Sequence, residues 1–397
     1  MKKIGFVTPW FGENIPGGAE MELRGLTTHL SESGLPVEIL TTCAKEFLSD
    51  WSKNAYAEGL YQECGMPVRR FSVGKRDTAL FDAVNWKLMN NQSITQDEER
   101  IYVDNMINSP NLYKYMKQHE AEYSLFVFIP YMFGTTYFGC AVCPEKSVLI
   151  PCLHDESYAY MNLFKERFSN VAGMIFHAQP ESDLAHRIYN MNDVENAVLG
   201  EGIYTDMHYD KDKFREKYAI TEPFILYMGR KDTGKQVDVL VSYFHHYKER
   251  NKNDLKLVLL GGGQMCIPAT IASDVVDLGF VPLQDKYDAA AASAFLCQPS
   301  QNESFSLVIM ESWLCERPVL VNASCAVTKN FAIQSNAGLY YQNFLEFEAC
   351  TNYFLSQDAT ARDMGIKGRD YVLSNFTWEH ITDKYTRFFE KVSEAKI

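Results

Sequence analysis

The sequence has no excess of positive charge: Lys and Arg number 38 against 51 Asp and Glu, a formal charge of −13. Long-range attraction to nucleic acid is excluded as the driver of function, and any membrane contact must come from a local patch. A cysteine framework is also missing. The ten Cys stand mostly alone in apolar stretches, as Cys297 does within Ala294–Gln298. Such scatter reads as buried thiols of a reducing cytoplasm. Cys140 and Cys143 form one C-x-x-C, but no second pair stands at metal spacing, which argues against zinc or redox use. The apolar start, Met1–Trp10, is cut short by Pro9 and Glu13 before a signal-peptide core can form, so it reads as a first strand. Ser124–Cys143 is uncharged over 20 residues, yet Pro130, Gly134, Thr135, Thr136 and Gly139 divide it into strand, turn and helix start rather than a membrane span.

What is present is ordinary soluble composition, 46% hydrophobic and 22% charged over 397 residues, enough chain for two or three domains. Lys3–Pro9 reads as a strand, Pro16-Gly17-Gly18 as a turn, Met21–Leu30 as a helix and Val37–Thr41 as the next strand. That alternation is the mark of a parallel sheet with helices on its faces. Leu125–Ile129, Val148–Pro151 and Gly173–His177 continue it. The pattern restarts near residue 200, with strands expected at Phe224–Met228, Leu255–Leu260, Asp277–Pro282, Phe295–Pro299 and Pro318–Asn322, and helices at about Lys235–Glu249 and Phe305–Cys315. We therefore expect an α/β protein with two doubly wound domains, 1–199 and 200–377. The amphipathic tail, about 378–397, has no strand to follow and must pack on something already built. Ligands in such sheets bind at the carboxyl ends of strands, which makes the cleft between the domains the expected site.

Two segments can carry chemistry. Gly229-Arg230-Lys231-Asp232-Thr233-Gly234-Lys235 follows a strand and opens a helix. Arg230 and Lys235 at a helix N-terminus can hold a diphosphate, and the same turn serves equally as a solvated basic loop. Glu303 and Glu311 stand eight residues apart, the first in a strand-end loop and the second two helical turns on. One can meet a sugar and the other a ribose, although such a pair also arises by chance. His154 reads on its own as a histidine satisfied at its strand end, with Asp155 and Glu156 as the acids of a helix start.

The ordered set GGAE (Gly17–Glu20), HD (His154-Asp155), GR-x4-K (Arg230, Lys235), GGG (Gly261–Gly263), LGFV (Leu278–Val281) and PSQNESFSLVIMESWLCERPVLV (Pro299–Val321) resembles retaining glycosyltransferase family 4 across nearly the whole chain. The resemblance implies the GT-B fold: two Rossmann-like domains facing across a cleft, with a terminal Trp-containing helix (Trp378) crossing back to the first domain. It implies that Arg230 and Lys235 bind the donor diphosphate, that Glu311 bonds the ribose and that Glu303 faces the donor sugar. It implies further that the amides of Ser304, Phe305, Ser306 and Leu307 line sugar and phosphate, and that Gly229, Gly262 and Phe280 sit at the nucleotide. Gly17 and Gly18 would cover the phosphate and acceptor, and His154 would reach the sugar. The departures are Ser306, where the family's EGFG has glycine, and Glu316, where glycine is common.

The implied activity is transfer of a hexose, with retention, from a nucleotide-diphosphate sugar to a hydroxyl of a glycan or lipid-linked saccharide, in cell-surface polysaccharide or glycoconjugate synthesis. The alternatives are a sugar synthase or nucleotide-sugar epimerase on a small soluble substrate, or a silent binding subunit of a glycosylation complex. No cofactor is expected. The tempting Asp-x-Asp, Asp210-Lys211-Asp212, lies in a charged stretch suited to helix capping, so no metal is expected either. The expected location is cytoplasmic, or peripheral at the inner face of the membrane. For the peripheral form the segment Cys64–Asn90 offers Arg69, Arg70, Lys75, Arg76 and Lys87 with Phe71, Phe81 and Trp86 interleaved, a candidate face for anionic lipid. A solvated surface loop is the plainer reading of it.

Overall fold

The apolar run near the N-terminus forms β1 (Lys3–Thr8), buried along almost its whole length as a central parallel strand should be. The computed structural model describes residues 2–15 and 17–394. Pro16 of the expected turn and 395–397 of the expected tail lie outside the described residues. The chain forms two compact units, Met1–Gly202 together with Trp378–Ile397, and Ile203–Thr377.

In unit 1, β2 (Val37–Thr42), β3 (Gly59–Glu63), β4 (Met66–Phe71), β5 (Tyr123–Phe128), β6 (Ser147–Leu149), β7 (Gly173–Phe176) and β8 (Glu195–Val198) join β1 in the order β3-β4-β2-β1-β5-β6-β7-β8. All pairs are parallel except β3 with β4. Strand order reverses between β1 and β5, so the loops after those two strands part at the sheet's carboxyl edge. The hairpin β3–β4 is not legible in the sequence: β3 is an exposed edge strand of mixed polarity. Its two-residue turn, Cys64-Gly65, holds φ of 51° and 75°, the geometry that matches strand twist.

The tail is a helix, Trp378–Glu394, and its packing explains why it belongs to unit 1. Trp378 stacks on His29 with ring centroids 4.3 Å apart, and Phe389 meets Phe6 edge-on at 6.2 Å. Trp378 presses against Gly25 and Gly202, where an added Cβ would come within 2.3 and 2.1 Å of its ring. Only glycine fits under the indole there.

The basic segment of unit 1 does not form the free cationic face that its composition suggests. Arg70 is buried and donates to Glu63 at 2.7 Å and to the Phe11 carbonyl at 2.9 Å. Arg69 pairs with Glu38 at 2.9 Å, Arg76 donates to the Asn105 carbonyl at 2.9 Å and lies over Trp51 and Phe81, and Lys87 pairs with Glu98. Phe71 and Phe81 are core residues. The reason is alternation along β4, which points Arg70 inward while Arg69 meets β2's Glu38. Four of the five cations are thus held within the unit, which removes the electrostatic argument for an anionic surface. Among the described residues no helix is long and apolar enough to cross a membrane.

Unit 2 holds β9 (Phe224–Met228), β10 (Lys256–Leu260), β11 (Val275–Gly279), β12 (Phe295–Gln298), β13 (Val319–Asn322) and β14 (Gly338–Tyr341), all parallel, in the order β11-β10-β9-β12-β13-β14. The chain moves outward from β9 to β11 and then returns to β12 on β9's other side. The crevice between the loops after β9 and β12 is therefore the topological switch point. Both segments singled out for their chemistry, Gly229–Lys235 and Glu303–Leu307, follow these two strands. The expected helix from Lys235 begins as a 3-10 turn, Thr233–Lys235, and becomes α-helix only at Val237–Arg250. The break falls at Gln236, whose φ is 57°.

Candidate active site

Unit 2 brings Lys235 and Glu303 into direct contact across the switch point, Nζ to Oε1 at 2.6 Å. Asp232 accepts from the Lys235 amide at 2.9 Å, which caps the 3-10 turn and fixes where Lys235 starts. Arg230 extends into solvent with Asp232 as its ion partner. Tyr227, at the end of β9, donates to the Arg230 carbonyl at 2.7 Å and so ties this loop to the strand below it. Two cations thus stand on one strand-end loop and a carboxylate on the next.

Gln298, the last residue of β12, is buried and donates to both Glu303 Oε1 and Ser306 Oγ at 3.3 Å. Sequence reading misses it, although a polar residue closing an apolar strand immediately before the Glu303 loop is a usable signal. Ser306 has φ 80° and ψ 76° as the residue before the helix Leu307–Leu314, and Glu316, after that helix, has φ 57°. Both departures from the family pattern keep the left-handed backbone that glycine takes most readily. The Phe305 side chain is a core anchor, edge-on to Phe331 and Phe376 with centroids at 5.3 and 5.0 Å, which leaves only its backbone to face a ligand. The first amides of the helix that Leu307 opens have no intrahelical acceptor, as at any helix N-terminus.

Glu311 lies on that helix, buried, with Lys286 Nζ at 2.6 Å. Lys286 sits on the neighbouring helix Leu283–Ala292 and is a second residue that the sequence does not single out. A buried carboxylate needs such a partner, but nothing local in the sequence marks which lysine supplies it.

The loops after β9, β10 and β11 converge separately. Gly229 N donates to the Leu260 carbonyl at 2.9 Å, Lys231 N to Gly262 O at 2.7 Å and Gly261 N to Gly279 O at 2.7 Å. A Cβ at Gly261 would lie 2.0 Å from the Gly229 carbonyl oxygen, so side chains are excluded there. Phe280, 84% exposed, lies over Gly262, where a Cβ would come within 2.7 Å of its ring. Lys231 is buried and ion-paired to Asp277. Asp277 also accepts from the Gly279 amide at 3.1 Å and so steadies the turn that carries Phe280. An exposed apolar ring thus lies over a bare backbone.

Gly17, Gly18 and His154 belong to unit 1. Gly17 precedes the helix Gly18–Glu32 with φ 137°, and an added Cβ would meet the Glu20 carboxylate at 1.9 Å, while Gly18 faces open space. Glu20 is fixed by Trp10 Nε1 at 2.6 Å, and burial raises its pKa above the ordinary value. His154 follows β6 and lies 3.5 Å from Glu156 through Nδ1. Glu156 stands at the N-cap position of the 3-10 turn Ser157–Tyr160 but makes no side-chain capping bond there. Asp155 pairs with Arg187 at 2.6 Å.

Unit 1 also holds a buried ionic group that no motif marks. His177 Nε2 meets Glu22 Oε1 at 2.5 Å, and its Nδ1 lies 3.6 Å from Glu181. Burial opposes charging this imidazole, yet Glu22, Glu181 and Glu201 together hold its pKa up to about 10. Glu22, Cys152 and His177 bring one ligand atom each within 4.8 Å of one another. The thiol is pushed well above its ordinary pKa, first by burial and then by these carboxylates. Cys140 and Cys143 are buried, and their thiols are likewise raised to about 12 by burial, as inert core cysteines should be.

The family described as "Glycosyl transferases group 1" matches residues 210–371. An alpha-maltose-1-phosphate synthase of Mycolicibacterium smegmatis is 23% identical over 224 residues, 49% of this chain and 57% of that protein. An N-acetylgalactosamine-N,N'-diacetylbacillosaminyl-diphospho-undecaprenol 4-alpha-N-acetylgalactosaminyltransferase of Campylobacter jejuni is 32% identical over 147 residues, 35% of this chain and 33% of that protein. The matched stretches thus span less than two thirds of either relative. Among solved structures, sucrose-phosphate synthase from Thermosynechococcus elongatus superposes over 100% of both chains with a TM-score of 0.72 at 17% identity. Anabaena Alr3699/HepE in complex with UDP-glucose covers 98% of this chain and 100% of its own, with a TM-score of 0.69 at 13% identity. The chain thus shares its fold over its full length with these glycosyltransferase structures, and the match to the glycosyl transferases group 1 falls on the unit that carries Arg230, Lys235, Glu303 and Glu311.

Proposed function

We propose that this protein transfers a hexose, with retention of configuration, from a nucleotide-diphosphate sugar to a hydroxyl of a glycan or lipid-linked saccharide. The observation that carries the reading is the Lys235–Glu303 contact at the switch point of unit 2, with Arg230 on the same loop. Without a donor each cation rests on a carboxylate, Lys235 on Glu303 and Arg230 on Asp232. A diphosphate offers both a stronger acceptor, and its arrival frees Glu303 toward the sugar. As the sugar leaves, negative charge grows on the β-phosphate, where fixed cations and helix-end amides stabilise the transition state more than the ground state. Phe280 over Gly262 takes the base, and Glu311, held by Lys286, accepts from the ribose hydroxyls. His154, with Gly17 and Gly18, serves sugar and acceptor from unit 1. We assign no role to a metal, since the cations of the chain itself supply the countercharge; EDTA should leave the rate unchanged. The UDP-glucose in the complex of a fold neighbour supports a sugar nucleotide as donor.

A second reading, synthesis of a small soluble saccharide, is favoured by the sucrose-phosphate synthase and alpha-maltose-1-phosphate synthase likenesses. Thermal stabilisation by UDP-, GDP-, ADP- and TDP-sugars tests the donor. A ligand at 100 times its Kd adds about 2.7 kcal/mol, and no response to any of them refutes both readings. Product analysis with a soluble sugar phosphate against a lipid-linked saccharide separates the two.

A further inference from the structure

We propose that a groove of 530 Å³ in unit 1 is a binding subsite for a neutral saccharide, the acceptor's own sugar. The proposal rests on the transferase reading above and adds to it the place and chemistry of the acceptor. The groove lies between the end of the helix Thr78–Met89, the loop that follows it, the 3-10 turn Ser157–Tyr160 and the start of the helix Asn162–Phe168.

Three features of the groove fit a sugar. Its walls offer neutral hydrogen-bonding side chains from Asn91, Gln92, Ser93 and Asn162, all exposed, the mixed donors and acceptors that a polyol needs. Tyr160 supplies an aromatic face, and its hydroxyl is turned aside to Asp155 Oδ1 at 2.7 Å, so the ring is held in place. The floor, Leu88, Ile94 and Met161, is apolar, as the C–H face of a hexose requires. Charge narrows the class. Among the described residues that line the groove, Lys165 is the one cation, against Asp155, Glu156 and Glu99. That balance disfavours phosphate, and the polar walls disfavour a lipid chain.

The groove is also preorganised. Buried Glu99 accepts from the amides of Asn162 and Leu163, both at 3.0 Å, and so fixes the helix start that forms one wall. Ser157 Oγ reaches the Leu88 carbonyl at 2.7 Å and Asn91 Oδ1 at 2.8 Å and so fastens the opposite wall. Asn91 holds φ 53° in this arrangement. A site whose walls are already fastened binds without a large ordering cost. Glu156, one of the residues lining the groove, takes the Tyr131 hydroxyl at 3.0 Å and lies 3.5 Å from His154 Nδ1. Glu156 thus links the lining of the groove to His154, the residue assigned to the transferred sugar.

The test is saturation-transfer NMR of the full chain with glucose, galactose, N-acetylglucosamine, maltose and lactose, each at millimolar concentration. At least one should give ring-proton signals, and Tyr160→Ala or Gln92→Trp should reduce them at least fivefold. Both positions are exposed, so the variants fold, as circular dichroism checks. Absence of signal from every sugar, or signal unchanged in both variants, overturns the proposal. The wild type's thermal response to UDP, measured on the same samples, reports on the donor reading alone: a response to UDP without saccharide binding sinks the groove and spares the transferase, whereas saccharide binding with no response to any nucleotide sugar removes the acceptor role.

Discussion

Replacing Glu22 by Gln removes the carboxylate that keeps a proton on His177 in the interior of unit 1. Both side chains are shut off from water and meet at 2.5 Å. Because the folded pKa of His177 lies near 10 against an ordinary 6.5, the pair's stabilisation is complete below the lower value and is lost as pH rises toward the upper one. Taking one partner from a buried pair costs about 3–5 kcal/mol. Glu181 remains 3.6 Å from Nδ1 and the new amide still accepts a hydrogen bond, so we expect the lower end, about 3 kcal/mol. At about 3 kcal/mol per molar urea, the midpoint falls by about 1 M. Tryptophan fluorescence is the right probe, since Trp10, Trp51, Trp86 and Trp378 lie in unit 1 and only Trp313 in unit 2. The difference between wild type and variant should be widest near pH 6.5 and close as pH approaches 10. Other groups titrate in that range in both proteins, and the difference cancels them. A loss below about 1 kcal/mol, or one equal at both ends of the range, would refute the buried ion pair as a source of stability.

Arg230→Ala and Lys235→Ala should each lower transfer by ~10²–10³ with little change in melting temperature, because Arg230 is exposed and Lys235 half-buried; wild-type turnover in either removes the donor site from this loop. Glu303→Gln should mainly lower kcat, whereas Glu311→Gln should raise the Kd for the nucleotide and also destabilise, since it leaves Lys286 without its carboxylate; adding Lys286→Met should restore the stability but not the affinity, as calorimetry of folding and binding will tell. Glu316→Gly should raise stability by up to about 1 kcal/mol, because it relieves a left-handed backbone and gives up only an exposed pair with Arg369; a lower melting temperature would show that the position is not strained. Gly262→Ala should push the Phe280 ring aside and weaken nucleotide binding about tenfold or more, and unaltered affinity would free Phe280 from the base.

The parallel-sheet architecture is readable from the sequence, because strands buried on both faces are continuous apolar runs: the run Phe224–Met228 coincides with β9 to the residue, and Lys3–Pro9 with β1 to within one. Glycine turns after such runs point to strand ends, and so Arg230, Lys235 and Glu303 are legible as candidates. Edge strands are not, since β3 and β8 are exposed or half-buried and carry no apolar signature. Local sequence also cannot pair charges. Whether Arg69, Arg70 and Arg76 face a membrane or their own core depends on Glu38, Glu63 and Asn105, and in two of these three pairs the partner is distant along the chain and only the fold brings it near. The same holds for Lys286 beneath Glu311 and for His177 between Glu22 and Glu181, where burial turns residues of ordinary appearance into strongly coupled groups. Periodicity is local and therefore written in the sequence; burial and electrostatic partnership are set by which strands become neighbours, and tertiary structure alone decides them.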